Sequence, residues 1–403
     1  MLYYFFKYLD SLDVPGAGLF NYISFRAGLA LIISLFIAIW GGKSIIRILQ
    51  KYQIGELVRD LGLEGQYQKQ GTPTMGGIII ILAIIVPVVL LANLKNTYIL
   101  IMIFATLWLG FIGFLDDYIK VFKKDKKGLR GYFKIIAQLV LGLVVSAVII
   151  FSPQIVIRPN PSAYSKVSNE KIIKSDIKSM KTTIPFVKNH EFDYERFFNS
   201  IGIKNKWLVY LLFTLIVVFI IVAVSNGANL TDGLDGLAAG TTSVSLAALV
   251  VFVYVSGNVM FAEYLNIMYI PKIGEMTIFI SAFIGALIGF LWYNSFPAQI
   301  FMGDTGSLTI GGIIAIIAIL VRKELLLPIF AGIYLAETVS VIIQVSYFKY
   351  TKRKYGEGRR VFLMSPLHHH FQKKGIPEPK IVARFIIVAI LLSALSVITL
   401  KIR

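Results

Sequence analysis

The amino-acid sequence predicts an all-α polytopic membrane protein with about ten transmembrane helices, on three observations. Of its 403 residues 57% are hydrophobic and only 15% charged, with a mean hydropathy of +0.75, far more apolar than a soluble globular chain. The apolar residues gather in runs of about 20, the length a helix needs to cross a hydrocarbon layer of ~30 Å. These runs are too long and continuous for strands of a closed barrel, the other fold that satisfies its backbone in lipid. Finally, the polar residues between the runs come in short, dense clusters.

Taken in order, the first expected span is 20–42, whose apolar run continues past any plausible small-residue cleavage site and so reads as retained, not as a signal peptide. KQGTPTMGG (69–77) leads into the second span, 74–94, and the third, 97–119, closes on FLDDYIKV. The basic run KKDKKGLR (123–130) precedes the fourth, 131–151. Segment 152–206 is polar and Pro-containing, with ten Lys and Arg and too few Ile and Phe for a large core. It is expected to be an external, periplasmic insertion with a short hairpin. Spans five and six, 207–226 and 235–256, enclose NLTDGLDG (229–236), and spans seven and eight, 276–293 and 305–321, enclose NSFPAQIFMGDTGS (294–307). The ninth, 325–348, runs into KYTKRKYGEGRR (349–360) and SPLHHHFQKKG (365–375) before the tenth, 381–400. Residues 1–403 thus form a single integral membrane domain. Lys and Arg concentrate after spans one, three and nine, which puts those loops in the cytoplasm and both termini outside. All five polar clusters then share the cytoplasmic face.

Cysteine is absent, which excludes disulfides, thiolate catalysis and cysteine metal sites. No nucleic-acid partner is expected. Acidic residues at a helix start can act as simple caps, and Asp232 and Asp304 admit that reading. Asp116 and Asp117 resist it, because they close a helix where the dipole disfavours anions, and Lys120 at i+4 offsets only part of their repulsion. Helical spacing places Asn229 and Asp232 on one face with Asp235 at its edge, while Gly233 and Gly236 make room for a close ligand or, through GLAAG (236–240), for helix packing. GDTGS (303–307) at a helix start suits a phosphate or Mg²⁺. His368, His369 and His370 do not suit zinc, since one helix cannot aim three successive side chains at one ion; phosphate recognition fits better. Hard carboxylate oxygens beside Lys, His and glycine-rich backbone point to Mg²⁺-dependent phosphoryl chemistry at the membrane surface.

As an ordered set, GTPTMGG, FLDDYIKV, NLTDGLDGLA, FMGDTGSL and PLHHHFQKKG among ten spans closely resemble the phospho-N-acetylmuramoyl-pentapeptide transferases, the bacterial translocases that open the membrane steps of peptidoglycan synthesis. The resemblance covers nearly the whole chain. It implies transfer of phospho-N-acetylmuramoyl-pentapeptide from its UDP-activated form to undecaprenyl phosphate with Mg²⁺, releasing UMP and making lipid I in the bacterial cytoplasmic membrane, by a homodimer. By the same resemblance Asp304 is the metal-associated aspartate, Asp116 and Asp117 are the catalytic pair and further ligand candidates, and His369 joins them in the catalytic set. Asn229, Asp232 and Asp235 line the nucleotide side, with Phe301 stacking on uracil. Lys69, Thr74, Lys120, Lys124 and Asn294 fall in matching polar loops, His368 and His370 lie near the sugar and phosphates, and Gln344 is a further match. Two routes stay open, direct attack by the lipid phosphate and a covalent aspartyl intermediate. A sister transferase using UDP-N-acetylglucosamine and a secondary transporter are the rival readings.

Overall fold

A computed structural model of the chain describes residues 1–52, 69, 71–123, 125, 128–158, 176–184 and 191–401, and the architecture below is that of these residues. Helices dominate. A surface helix α1 (Leu2–Asp10) precedes α2 (Ile23–Lys51), followed by α3 (Gly77–Leu91), α4 (Thr97–Phe122) and α5 (Gly131–Phe151). A two-stranded antiparallel sheet, β1 (Lys181–Thr183) with β2 (Glu191–Asp193), leads through α6 (Tyr194–Ser200) to α7 (Lys206–Thr231), α8 (Leu237–Ser256) and the short α9 (Val259–Leu265). Then come α10 (Met276–Asn294), α11 (Gly303–Leu320), α12 (Leu327–Phe330), α13 (Gly332–Tyr355), α14 (Leu367–Lys373) and α15 (Glu378–Ile398).

Eight helices are long and apolar enough to cross a membrane singly, a bent pair makes a ninth span, and the shorter α3 makes a tenth apolar segment. Each expected span therefore has a counterpart, with three differences. The second starts at Gly77, not at residue 74, because residues 73–77 pair with the loop before α11: Gly76 and Gly77 donate their N–H groups to the carbonyls of Phe301 and Met302 at 2.9 Å, and Phe301 donates to Pro73 at 2.8 Å. At 15 residues α3 is about 22 Å long, shorter than a full crossing. The third runs on to Phe122, so Asp116 and Asp117 lie within its last two turns and do not end it. The ninth, expected to be continuous, is broken by 81° between Phe330 and Gly332. Pro328 starts the short α12, Ala331 leaves helical geometry at φ −105°, and α13 restarts at Gly332 and continues to Tyr355.

The almost wholly buried α11 is the axis of the bundle, packed on α4, α7 and α3. Close approach is made by glycine. A Cβ on Gly77 would lie 2.1 Å from the Gly306 nitrogen, and one on Gly113 would lie 2.3 Å from the Asp304 carbonyl oxygen. The second intimate pair, α2 on α10, uses Gly285 against Leu31 and Gly289 against Ala38. Where α2 passes through a π-turn at Ile37–Gly41, the Tyr293 hydroxyl donates to the Ile39 carbonyl at 2.6 Å, satisfying an acceptor in the widened turn. Near the other end of α2, buried Arg26 forms a bidentate pair with Glu275 at 2.9 and 2.7 Å and lies 4.4 Å from the Tyr3 ring. Charge buried in apolar surroundings is tolerated here because it is paired and hydrogen-bonded.

The segment between α5 and α7 holds the short hairpin expected of it, and it docks at the C-terminal end of α11. Lys323 donates to the Thr183 hydroxyl at 2.7 Å, Thr183 donates its N–H to the Arg322 carbonyl at 3.0 Å, and Tyr194 donates to Glu324 at 3.2 Å. The polar loops gather at the opposite, N-terminal end of α11.

Candidate active site

The site is built on the first turn of α11. Gly303 adopts φ +70°, a left-handed geometry that glycine takes at no steric cost, and its missing side chain leaves room for Asp117 and Thr74, whose Oδ2 and Oγ1 would lie 2.5 and 2.9 Å from a Cβ there. Asp117 reaches across from α4 and caps α11: Oδ1 accepts from the Asp304 N–H at 3.0 Å, and Oδ2 accepts from the Thr305 N–H at 2.9 Å and hydroxyl at 2.6 Å. These are the free amides that any helix start must satisfy. Capping is thus done by Asp117, from another helix, which leaves the Asp304 side chain for other partners.

Asp304 Oδ1 accepts from the Asn229 amide at 2.8 Å, and the same amide reaches the Ser307 hydroxyl at 2.8 Å. Its Oδ2 meets Lys134 at 2.5 Å and Lys120 at 3.2 Å. Asp116, fully buried, is held by Lys120 at 2.5 Å, Lys134 at 3.0 Å and the Leu129 N–H at 2.6 Å. Carboxylate oxygens of Asp116, Asp117 and Asp304 lie within 4.8 Å of one another. Three carboxylates against two ammonium groups leave one negative charge in excess, and all the donors are hard oxygens. This set fits a small cation. Asp116, Asp117 and Asp304 are the residues that could hold it.

Lys134, in the first turn of α5, was not singled out from the sequence; its sign there was a cation one turn inside an otherwise apolar helix. Lys124 lies outside the described residues.

A second cluster lies along the same end. Lys69 pairs with Asp235 at 2.6 Å and with Glu378 at 2.6 Å, and its ammonium lies 5.9 Å from the Phe301 ring centre. Asp235 also accepts from the Ala298 N–H at 3.0 Å. Asn294 accepts from the Gly236 N–H at 3.1 Å and donates to the Ile300 carbonyl at 2.9 Å, tying the two loops together. Asp232 is half-buried just past the end of α7, one turn beyond Asn229, so the expected shared face is cut short where the helix ends. It does not start α8 either, because Gly236, at φ +79°, occupies that position.

The three histidines point three ways. His368 is buried against Gly233, with Nδ1 3.2 Å from the buried carboxylate of Glu337. His369 Nδ1 pairs with Gln372 at 2.7 Å, and His370 Nδ1 accepts from the Leu363 N–H at 3.1 Å. Burial and the neighbouring His368 hold the His369 imidazole down at about 4, so it is neutral at physiological pH. Gln344 spends its whole amide on backbone, accepting from Val361 and Phe362 at 3.0 and 2.9 Å and donating to the Phe362 carbonyl at 3.1 Å. It shapes the loop carrying the histidines. Glu337, like Lys134, is an ionisable residue inside an apolar run, apart from the polar motifs of the sequence.

The sequence of this chain is similar to those of known proteins. The Glycosyl transferase family 4 profile matches residues 99–322, and the phospho-N-acetylmuramoyl-pentapeptide-transferase signature 1 matches residues 69–81. Phospho-N-acetylmuramoyl-pentapeptide-transferases of Flavobacterium psychrophilum, Flavobacterium johnsoniae and Parabacteroides distasonis are 61%, 60% and 55% identical, each matched over 100% of both chains.

Proposed function

The chain belongs to the phospho-N-acetylmuramoyl-pentapeptide transferase family, and on that footing we propose that it transfers phospho-N-acetylmuramoyl-pentapeptide from its UDP-activated form to undecaprenyl phosphate, releasing UMP and forming lipid I. It is a multi-pass membrane transferase of peptidoglycan synthesis. The observation that carries the reading is the convergence of Asp116, Asp117, Asp304, Lys120, Lys134 and Asn229 at one end of the bundle. A water-soluble nucleotide sugar and a lipid-anchored phosphate can meet only at the membrane surface. We assign that end to the cytoplasmic face of the bacterial inner membrane, the 152–206 insertion to the periplasm, and the assembly to a homodimer.

In this account the lipid phosphate attacks the phosphorus bearing the sugar. A new P–O bond forms, and the P–O bond to UMP breaks with its electron pair leaving on UMP. A phosphate monoester with a second pKa of about 6 is mostly dianionic at neutral pH, so Asp116 has only to orient it and take the residual proton. Lys120 and Lys134 hold phosphoryl oxygens, and Asn229 fixes the rotamer of Asp304. Asp117 keeps the α11 N-terminus, with its partial positive charge, aimed at the diphosphate. Asp304 and Asp116 would hold Mg²⁺, which would neutralise charge on the diphosphate and on the departing UMP. Lys69, Asp235, Asn294 and Phe301 receive the nucleotide end, with Asp232 beside them; Thr74 borders the aspartates, and the loop that carries His368, His369 and His370 lies near the sugar and phosphates.

Donor choice tests the reading. Detergent-purified protein with undecaprenyl phosphate should release UMP from UDP-N-acetylmuramoyl-pentapeptide and not from UDP-N-acetylglucosamine; the reverse preference would move the chain to a sister reaction.

A further inference from the structure

Glu378 opens α15, and its nearly buried carboxylate joins segments far apart in the chain. Oε1 accepts from the Lys69 ammonium at 2.6 Å and from the Asp235 N–H at 2.7 Å. A lysine carries a point charge on a flexible four-carbon stem, and one carboxylate on one side does not fix where that charge sits. Held between Asp235 and Glu378, it is fixed from two sides.

Glu378 is not needed to seat its own helix. α15 packs on α8 and on α12 through Leu237, Ile381, Phe385 and Ala389, with Ile386 against Gly240 and Leu392 against Gly332. The contacts made by the carboxylate all lie in the Lys69–Asp235 corner.

We propose that Glu378 is a positioning residue for the nucleotide sugar, holding the Lys69 ammonium beside the Phe301 ring and fixing the backbone of the 234–236 turn in the geometry that receives the donor. The proposal rests on the assignment of Lys69, Asp235, Asn294 and Phe301 to the nucleotide end.

Steady-state kinetics at saturating lipid acceptor separate positioning from mere anchoring. Losing one charge-assisted contact that orders a binding corner, Glu378→Ala should raise the donor KM roughly ten-fold with kcat within about two-fold, and the acceptor KM should stay put. Glu378→Gln, whose amide oxygen still accepts both N–H groups, should raise the donor KM only about three-fold. In the double variant with Lys69→Ala the two effects on donor KM should be less than additive, since the ammonium contact is lost only once. A raised donor KM in Lys69→Ala beside an unmoved one in Glu378→Ala would overturn the role of Glu378. An unmoved donor KM in Lys69→Ala would instead overturn the assignment of the corner, and the proposal with it. A fall in yield or kcat at constant donor KM would reduce Glu378 to an anchor of α15. If Glu378→Ala is not recovered folded, Glu378→Gln carries the test, and an unchanged donor KM in that variant overturns the proposal.

Discussion

Adjacent aspartates in the 116–117 pair have separate tasks. Asp117 accepts three hydrogen bonds from the start of α11, whereas Asp116 faces Lys120 and Lys134. An asparagine at 117 offers one acceptor oxygen in place of two, so Asp117→Asn should cost about 1–3 kcal/mol of stability as buried donors go unpaired. Asp116→Asn should melt near the wild type in detergent while its UMP release falls at least tenfold. Equal melting points for the two variants would merge the roles. His369 supplies a pH test. Its folded pKa of about 4 lies below the ordinary 6.5, so the unfolded chain binds the proton more readily between those values. The stability due to neutral His369 is complete above pH 6.5 and is lost as the pH falls toward 4. In His369→Gln the slope of melting temperature across that window should flatten; an unaltered slope would assign the acid sensitivity to other groups.

Among the elements, the contact between α4 and α11 sets the geometry of the aspartates. Gly113→Ala would drive a methyl group to 2.3 Å from the Asp304 carbonyl oxygen and push the helices apart. Overpacking of this kind typically costs about 1–3 kcal/mol, but a shift of ~1 Å between Asp304 and the 116–117 pair can cost ~100-fold in rate. UMP release should therefore fall far more than melting temperature does, whereas equal fractional losses would point to simple unfolding. At the far end, Arg26→Met leaves the Glu275 carboxylate without its bidentate partner, and a drop of about 3–5 kcal/mol is expected. Replacing both residues with methionine should restore most of it, measured as melting in one detergent; a double variant as weak as the single would mean that the ion pair itself is stabilising.

For the molecule as a whole, the spans were legible because membrane crossing is governed by local composition and length, which a run such as 207–226 displays outright. The break in the ninth span was not, since α12 and α13 are both apolar and only Pro328 and Gly332 marked it. Of the site, Asp304 and Asn229 were legible because they stand among glycines and polar neighbours, and Asp116 and Asp117 because two adjacent carboxylates near the end of an apolar helix have no cheap local partner. Lys134 and Glu337 were hidden by the apolar residues around them, although a charge inside an apolar helix is itself a mark of function, and Glu378 stands between two prolines in a stretch that reads as an ordinary helix start. What no local pattern could state was pairing across helices: that Asp117 caps a helix beginning at Gly303, that Gln344 holds Phe362, and that Lys69 is shared by Asp235 and Glu378. If Asp304 and its neighbours form a metal-assisted phosphoryl-transfer centre, UMP release from UDP-N-acetylmuramoyl-pentapeptide across a Mg²⁺ titration, in wild type and Asp304→Asn, will show it. Chelation should abolish wild-type release, and the variant, equally well folded, should run at least ~100-fold slower at any Mg²⁺ concentration; wild-type turnover in the variant would rule such a centre out.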